Sequence, residues 1–291
     1  MMSVLIVGHV TLDKIQLPSK EYTSLGGPPI YMGLLMMKMG VEPKVLTRFG
    51  ADIGDERIRW ILQNGLKFID KPMVKSPTTK FRIRIEEDSR ELEIIDICDE
   101  IYPSNLNNFN AVLIAPVTGE LSVSTAIELT KKGRFVYLDP QGFLRQAKKG
   151  KVLLTKNDGL NELLPHVDAM KVDMEEGYII TQRSDPKLIA EELLRKGVKE
   201  VIITMGRHGA KLYTADASYY ARQPHTNVMD AVGAGDLLGA AYTFARYNMP
   251  LYDALIFALS CSTVYIDRPA LEKIPDASSA ERQFAMLKNY Q

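Results

Sequence analysis

The sequence predicts a three-layer α/β fold, with a mainly parallel central sheet, helices on both faces and a small β lid. Three observations carry this. Strand and helix signals alternate from the first residues and again through the second half of the chain. A polar–apolar alternation over residues 79–85 breaks that rhythm. The 291 residues, 46% hydrophobic and 25% charged, are ordinary for one large globular domain spanning 1–291.

Ser3 to Val10 is rich in Val, Leu and Ile and ends near a glycine, as a buried strand does. After the break at Leu25-Gly-Gly-Pro-Pro29, a helix is expected from Ile30 to Met39, stopped by Gly40. Lys44 to Phe49 is the next strand, and the turn Gly50-Ala-Asp-Ile-Gly54 leads into a helix from Asp55 to Asn64. Thr79 to Ile85 alternates as an antiparallel strand with one wet face, and Glu91 to Cys98 pairs with it through the polar turn 86–90. A further strand within Asp13 to Thr23 joins them, so the lid is expected at about 12–24 and 78–98. Short strands follow at Ala111–Ala115, Phe135–Leu138, Ala169–Val172 and Val201–Thr204. Helices at Asp236–Tyr247 and Leu251–Tyr265 close the chain, the first apolar on nearly every face and so deeply buried.

Charge is balanced, with 36 basic against 36 acidic residues, so no electrostatic case exists for nucleic acid or an acidic membrane. No apolar run reaches the length of a membrane span, and the opening MMSVLIVGHVTLDKI lacks the features of a signal peptide. Cys98 and Cys261 form no metal-type pair and suit reduced thiols in the cytoplasm. His166, His208 and His225 have no metal-ligand spacing. Lys148-Lys149-Gly-Lys151 is expected to be a solvated turn, and Trp60 to pack on the core.

Asp230-Ala-Val-Gly-Ala-Gly-Asp236 is the most informative segment. Two glycines around one alanine, just before a buried helix, let backbone approach a ligand, and free N–H groups at a helix start attract anions. A carboxylate there is either a plain N-cap or a base beside developing negative charge. Phosphoryl transfer needs that combination: an in-line hydroxyl, a proton acceptor such as Asp236, and amides of Gly233, Ala234 and Gly235 on the phosphoryl oxygens.

The segment resembles the C-terminal signature of the ribokinase-like (PfkB) carbohydrate kinases, although Ala231 stands where Thr is commonest. The resemblance implies Asp236 as catalytic base and the Gly233–Gly235 turn as anion hole. Other elements follow in family order. Gly26-Gly27, with Tyr31 where Asn is usual, and Asp13 after the first strand are similar to acceptor-binding positions. Gly50-Ala-Asp52-Ile-Gly54 resembles a scaffold turn, with Asp52 as a helix-start carboxylate. Asp173 and Glu176 match an Asn-x-x-Glu element that organises magnesium and phosphates. Thr204-Met-Gly206-Arg207-His-Gly209 is similar to the loop along which nucleotide phosphates pass. Asp139-Pro-Gln141-Gly142, followed by Arg145, and Thr78-Thr79-x-Phe81 resemble the myo-inositol kinase branch, which makes Gln141 an acceptor contact.

The resemblance therefore implies ATP and Mg2+, a polyol, sugar or nucleoside acceptor, and a homodimer paired through the lid. A dehydrogenase would need GxGxxG after the first strand, and a Walker-type ATPase GxxxxGK[ST]; neither pattern occurs there. The remaining alternative is a non-catalytic sugar- or nucleotide-sensing protein on the same scaffold, which has no use for a carboxylate at position 236.

Overall fold

The computed structural model describes residues 2–17, 20–86, 89–102, 105–224, 232–267 and 271–291. Its central sheet has nine strands, in the order Ser218–Ala221, Ala210–Tyr213, Glu200–Thr204, Ala169–Asp173, Gly133–Leu138, Phe109–Ile114, Val4–Val7, Pro43–Leu46 and Lys67–Phe68. All neighbours pair in parallel except at one edge, where Ala210–Tyr213 runs antiparallel to both its partners. That edge pair, and the short Lys67–Phe68 strand, are additions to the expected set.

Alternation along each strand divides the core in two. Val4, Ile6, Ala111, Leu113, Tyr137 and Ile202 face helices Pro28–Lys38, Ala234–Arg246, Leu251–Asp267 and Ala277–Tyr290. Leu5, Val7, Val112, Ile114, Val136, Leu138, Val201 and Ile203 face helices Val123–Thr130, Met174–Thr181 and Pro186–Arg195. Strands buried on both faces read as continuous apolar runs, which is why the parallel ones were recognisable. Trp60 is partly buried against the first core.

The lid is a five-stranded sheet ordered Gly150–Lys151, Ser89–Asp96, Lys80–Glu86, Thr11–Leu17 and Lys20–Gly26. One expectation changes here and one is extended. The segment within Asp13–Thr23 is not one strand but a hairpin, with Thr11 opposite Gly26 and Leu17 opposite Lys20. The lysines of the 148–151 stretch are exposed, as expected of a solvated turn, but the stretch also forms the lid's edge: Gly150 pairs with Ile94, and Lys149 Nζ lies 2.7 Å from Asp96 Oδ1. Strand pairing gives that segment a role that its composition alone hides.

Lid and core are pinned at the crossings between them. The buried His9 ring bridges Thr79 Oγ1 at 2.8 Å and the Asp99 carbonyl at 2.9 Å. Asp52 does not begin the Asp55–Gln63 helix, whose N-cap is Gly54. Instead it accepts hydrogen bonds from the amide and hydroxyl of Thr78, at 2.9 and 2.7 Å, and pairs with Lys80 at 2.6 Å. A carboxylate so engaged fixes the lid's entry.

Candidate active site

Parallel strands deliver their carboxyl ends to one edge of the sheet, where crevices form in α/β folds. A cavity of about 200 Å³ lies there, lined by Asp139 and Asp173 at strand ends, by Lys171 from the middle of Ala169–Asp173, and by Gly233, Gly235 and Asp236 from the start of the Ala234–Arg246 helix. Thr11, Asp13, Phe81, Ile83 and Leu92 of the lid cover it, and Gly27, Tyr31, Gln141, Arg145 and Glu176 complete much of its wall.

Gly233 is the helix N-cap, in a left-handed conformation with φ 82°. A side chain there would be strained, and a Cβ would sit 2.5 Å from the Tyr31 ring. Tyr31 is therefore more than a substitute for an acceptor-binding Asn: its ring is packed against the glycine turn. Asp236 is not the N-cap but the third helical residue. Among the described residues its carboxyl has no hydrogen-bond partner. Burial pushes its pKa up to about 7; the Asp139 charge adds to the rise, and Lys171 and Arg145 oppose it.

Behind the turn runs a line of buried charge. Lys171 Nζ donates to Asp139 Oδ2 at 2.7 Å and stands 3.9 Å from Glu176 Oε2. Burial opposes the Lys171 charge, yet the Asp139 and Glu176 carboxylates hold its pKa well above the ordinary value. Asp139 Oδ1 also accepts the Gln141 amide at 3.2 Å, fixing the start of the short Gln141–Leu144 helix. Glu176 and Asp173 form a capping box: Asp173 Oδ1 accepts the Glu176 amide at 2.8 Å, and Glu176 Oε2 accepts the Asp173 amide at 2.9 Å. Burial, offset by Lys171, raises Glu176 to about 7.

Arg145 Nη1 donates to the Val117 carbonyl at 3.0 Å while its guanidinium lies 5.7 Å from the centre of the Phe81 ring. Val117 is itself held by the buried Glu120, whose carboxylate accepts the amides of Val117 and Thr118, both at 2.7 Å. One arginine thus touches both core and lid.

The structure gathers Asp13, Gly27, Tyr31, Gln141, Asp173, Glu176, Gly233, Gly235 and Asp236 around this one cavity. Ala234 is the first helical residue between the two turn glycines and does not line it. Gly26 lies behind the wall, where a Cβ would be 2.1 Å from Asp13 Oδ2 and 2.7 Å from Thr11 Oγ1. Its strand neighbours by themselves demand a glycine there. Thr204 and Gly206 line a second hollow of about 440 Å³ beyond Asp173, shared with Met174, Pro186 and Met205. Arg207 is exposed, and neither it nor Gly209 lines either cavity. Asp230 and Ala231 lie outside the described residues.

Sequence reasoning missed Lys171, and it named Asp139 and Arg145 without giving them roles. A signal existed for the lysine: it is the one charge inside the run Ala-Met-Lys-Val of a strand buried on both faces.

A carboxyl at a helix start, a buried lysine and a walled polar cavity at the carboxyl edge of the sheet make a small-molecule site of the α/β class, and the comparisons with known proteins identify that class as phosphotransferases. The pfkB family carbohydrate kinase model matches residues 13–275. The chain is 22% identical over 251 residues to a cytidine kinase of Thermococcus kodakarensis, covering 83% of this chain and 87% of that protein. It is 30% identical over 184 residues to an inositol 3-kinase of Zea mays, covering 58% of this chain but only 45% of that protein. Among solved structures, a pyrophosphate-dependent kinase of the ribokinase family, complexed with a pyrophosphate analogue and myo-inositol, superposes with a TM-score of 0.82 at 23% identity, over 93% of this chain and 98% of that one. An Arabidopsis thaliana ribokinase complexed with ribose and ATP gives 0.76 at 18% identity, over 97% and 98%. The chain belongs to the pfkB family of carbohydrate kinases, has the ribokinase-like fold, and is a phosphotransferase acting on an alcohol group. Among the described residues, no helix is long and apolar enough to cross a membrane.

Proposed function

We propose that this enzyme transfers the γ-phosphoryl group of ATP to a hydroxyl of a small polyol, sugar or nucleoside in the cytoplasm. Asp236 takes the hydroxyl proton, and the Gly233–Gly235 turn steadies the migrating phosphoryl group. The observation that carries this is the Asp236 carboxyl. It lies buried in the cavity wall, at the helix start, with its pKa raised to about 7. A carboxylate with that pKa is basic enough to draw a proton from an alcohol in the transition state and ionised enough to do so near neutral pH.

The acceptor side is Asp13, Gln141 and the wall between them. At about 200 Å³ the cavity is below the size usual for drug-sized ligands, which favours a compact acceptor. Its polar side chains suit several hydroxyls at once, so a cyclic polyol or pentose is the first choice, with the Zea mays inositol 3-kinase as a guide. The donor side is Asp173, Thr204 and Gly206 at the second hollow, with Arg207 and Gly209 in the loop beside it rather than in its wall. Glu176 Oε2 is engaged by the Asp173 amide, and no cluster of three metal-ligating side chains stands among the described residues. Mg2+ brought in on the donor phosphates would be held by Glu176 and Asp173 beside them. Bound there, the ion would neutralise phosphate charge.

The test is a transfer assay over myo-inositol, ribose, fructose, cytidine and adenosine. It uses ATP or pyrophosphate as donor, with and without Mg2+. Transfer to at least one acceptor is expected; no transfer across the panel would favour the non-catalytic sensor. The proposed dimer through the outer lid is checked by sedimentation of the same preparation, where a monomer at all concentrations removes it.

A further inference from the structure

We propose that Lys171 is a phosphoryl-binding residue of this site and that Asp139 positions it, an inference that rests on the kinase reading above. Lys171 is the third residue of Ala169–Asp173, an interior strand of the parallel sheet, and is 7% exposed. Taking an ammonium out of water at such a place costs several kcal/mol unless it is paired. Apolar residues at that position would cost nothing of the kind.

The pairing itself uses little of what the ammonium offers. Lysine carries three N–H donors. Among the described residues Lys171 has one hydrogen bond, to Asp139 at 2.7 Å, and a looser ion pair with Glu176 at 3.9 Å. The residue lines the cavity, so its remaining donors are within reach of a ligand.

Gly235 adds an independent observation. Its φ is not in the left-handed range, and among the described residues outside its own helix a Cβ there would meet one atom within 4 Å: Lys171 Nζ, at 3.3 Å. Neither backbone strain nor packing against the described residues demands a glycine at this second helical position. What a side chain would do is stand beside the ammonium at the start of the helix. The glycine leaves the cation open to whatever anion the helix start holds.

The geometry places a fixed positive charge between the base, Asp236, and the capping box of Asp173 and Glu176. A phosphoryl group crossing from donor to acceptor brings its oxygens past that point. Lys171 then donates a second hydrogen bond to a phosphoryl oxygen without leaving Asp139. The bond between phosphorus and the donor's bridging oxygen breaks, the bond to the acceptor oxygen forms, and the acceptor's proton goes to Asp236. Lys171 transfers no proton in this step.

The test uses full-length protein and pyrophosphate as the probe, titrated calorimetrically without acceptor. Lys171→Met alone would strand the Asp139 carboxylate, so the main variant is Lys171→Met with Asp139→Asn, which removes both charges; its melt reports folding. We expect a melt near that of the wild type, at least tenfold weaker pyrophosphate binding, and kcat lowered about 100-fold or more with the acceptor KM within twofold. Asp139→Asn alone keeps an acceptor for the ammonium but removes its counter-charge, so pyrophosphate should bind more tightly than to the wild type, and that gain should vanish in the double variant, whereas a gain that came only from losing the carboxylate charge would survive there. Wild-type pyrophosphate affinity in the double variant overturns the inference, as does unchanged or weaker binding in Asp139→Asn. If the wild type phosphorylates no acceptor, the kinase reading fails, while the pyrophosphate titrations still decide the role of Lys171.

Discussion

Replacing Asp236 by Asn should stabilise the protein, and more so at alkaline than at acid pH. The carboxyl is 9% exposed, has no hydrogen-bond partner among the described residues, and shares its cavity with Asp139 and Asp13. These features raise its pKa from 3.8 to about 7. A carboxyl with a raised folded pKa holds more protons folded than unfolded between about pH 4 and 7, so its ionisation erodes stability as pH rises through that window. The full gap corresponds to about 4 kcal/mol at about pH 8, falling to about 2 kcal/mol near pH 5.5. Asn keeps the shape and never ionises. Urea denaturation of wild type and Asp236→Asn across that range should show a gain of this sign that shrinks on acidification. A variant that is less stable, or a gain independent of pH, would refute the claim that a desolvated carboxylate sits there.

The same pKa predicts that kcat/KM falls about tenfold per pH unit below about 7, because a protonated Asp236 cannot act as base. Glu176 titrates in the same range, so Glu176→Gln should retain that acid limb; its disappearance would assign the limb to Glu176. Gly26→Ala should displace the Asp13 carboxylate, raising the acceptor KM about 10- to 100-fold with the donor KM little changed, read from steady-state kinetics. Gly233→Ala should lose about 1–2 kcal/mol from its positive φ alone and more from the Tyr31 ring, and adding Tyr31→Ala should relieve only the second part in chemical denaturation.

Most of the parallel sheet was legible because a strand buried on both faces has to be a short apolar run, as in Val-Leu-Ile-Val at 4–7. The glycine turn was legible for a comparable reason: a left-handed residue at a helix start leaves few choices at position 233. What escaped depends on partners distant in sequence. Lys171 lies 32 residues from Asp139, and nothing local says that its strand ends beside that carboxylate. Asp52 looked like a helix-start charge because its neighbours are the start of a helix. Its true partners, Thr78 and Lys80, arrive from another segment. Lys149 and Lys151 have the composition of a solvated turn, and only pairing against Ser89–Asp96 makes them part of the lid.

The decisive measurement is turnover by Asp236→Asn with the best donor and acceptor from the screen, alongside donor binding by the same protein. We predict kcat lowered by at least about 100-fold, with the donor dissociation constant within a few-fold of the wild type. Turnover close to that of the wild type would mean that another group accepts the alcohol proton, and the assignment of the base would be wrong.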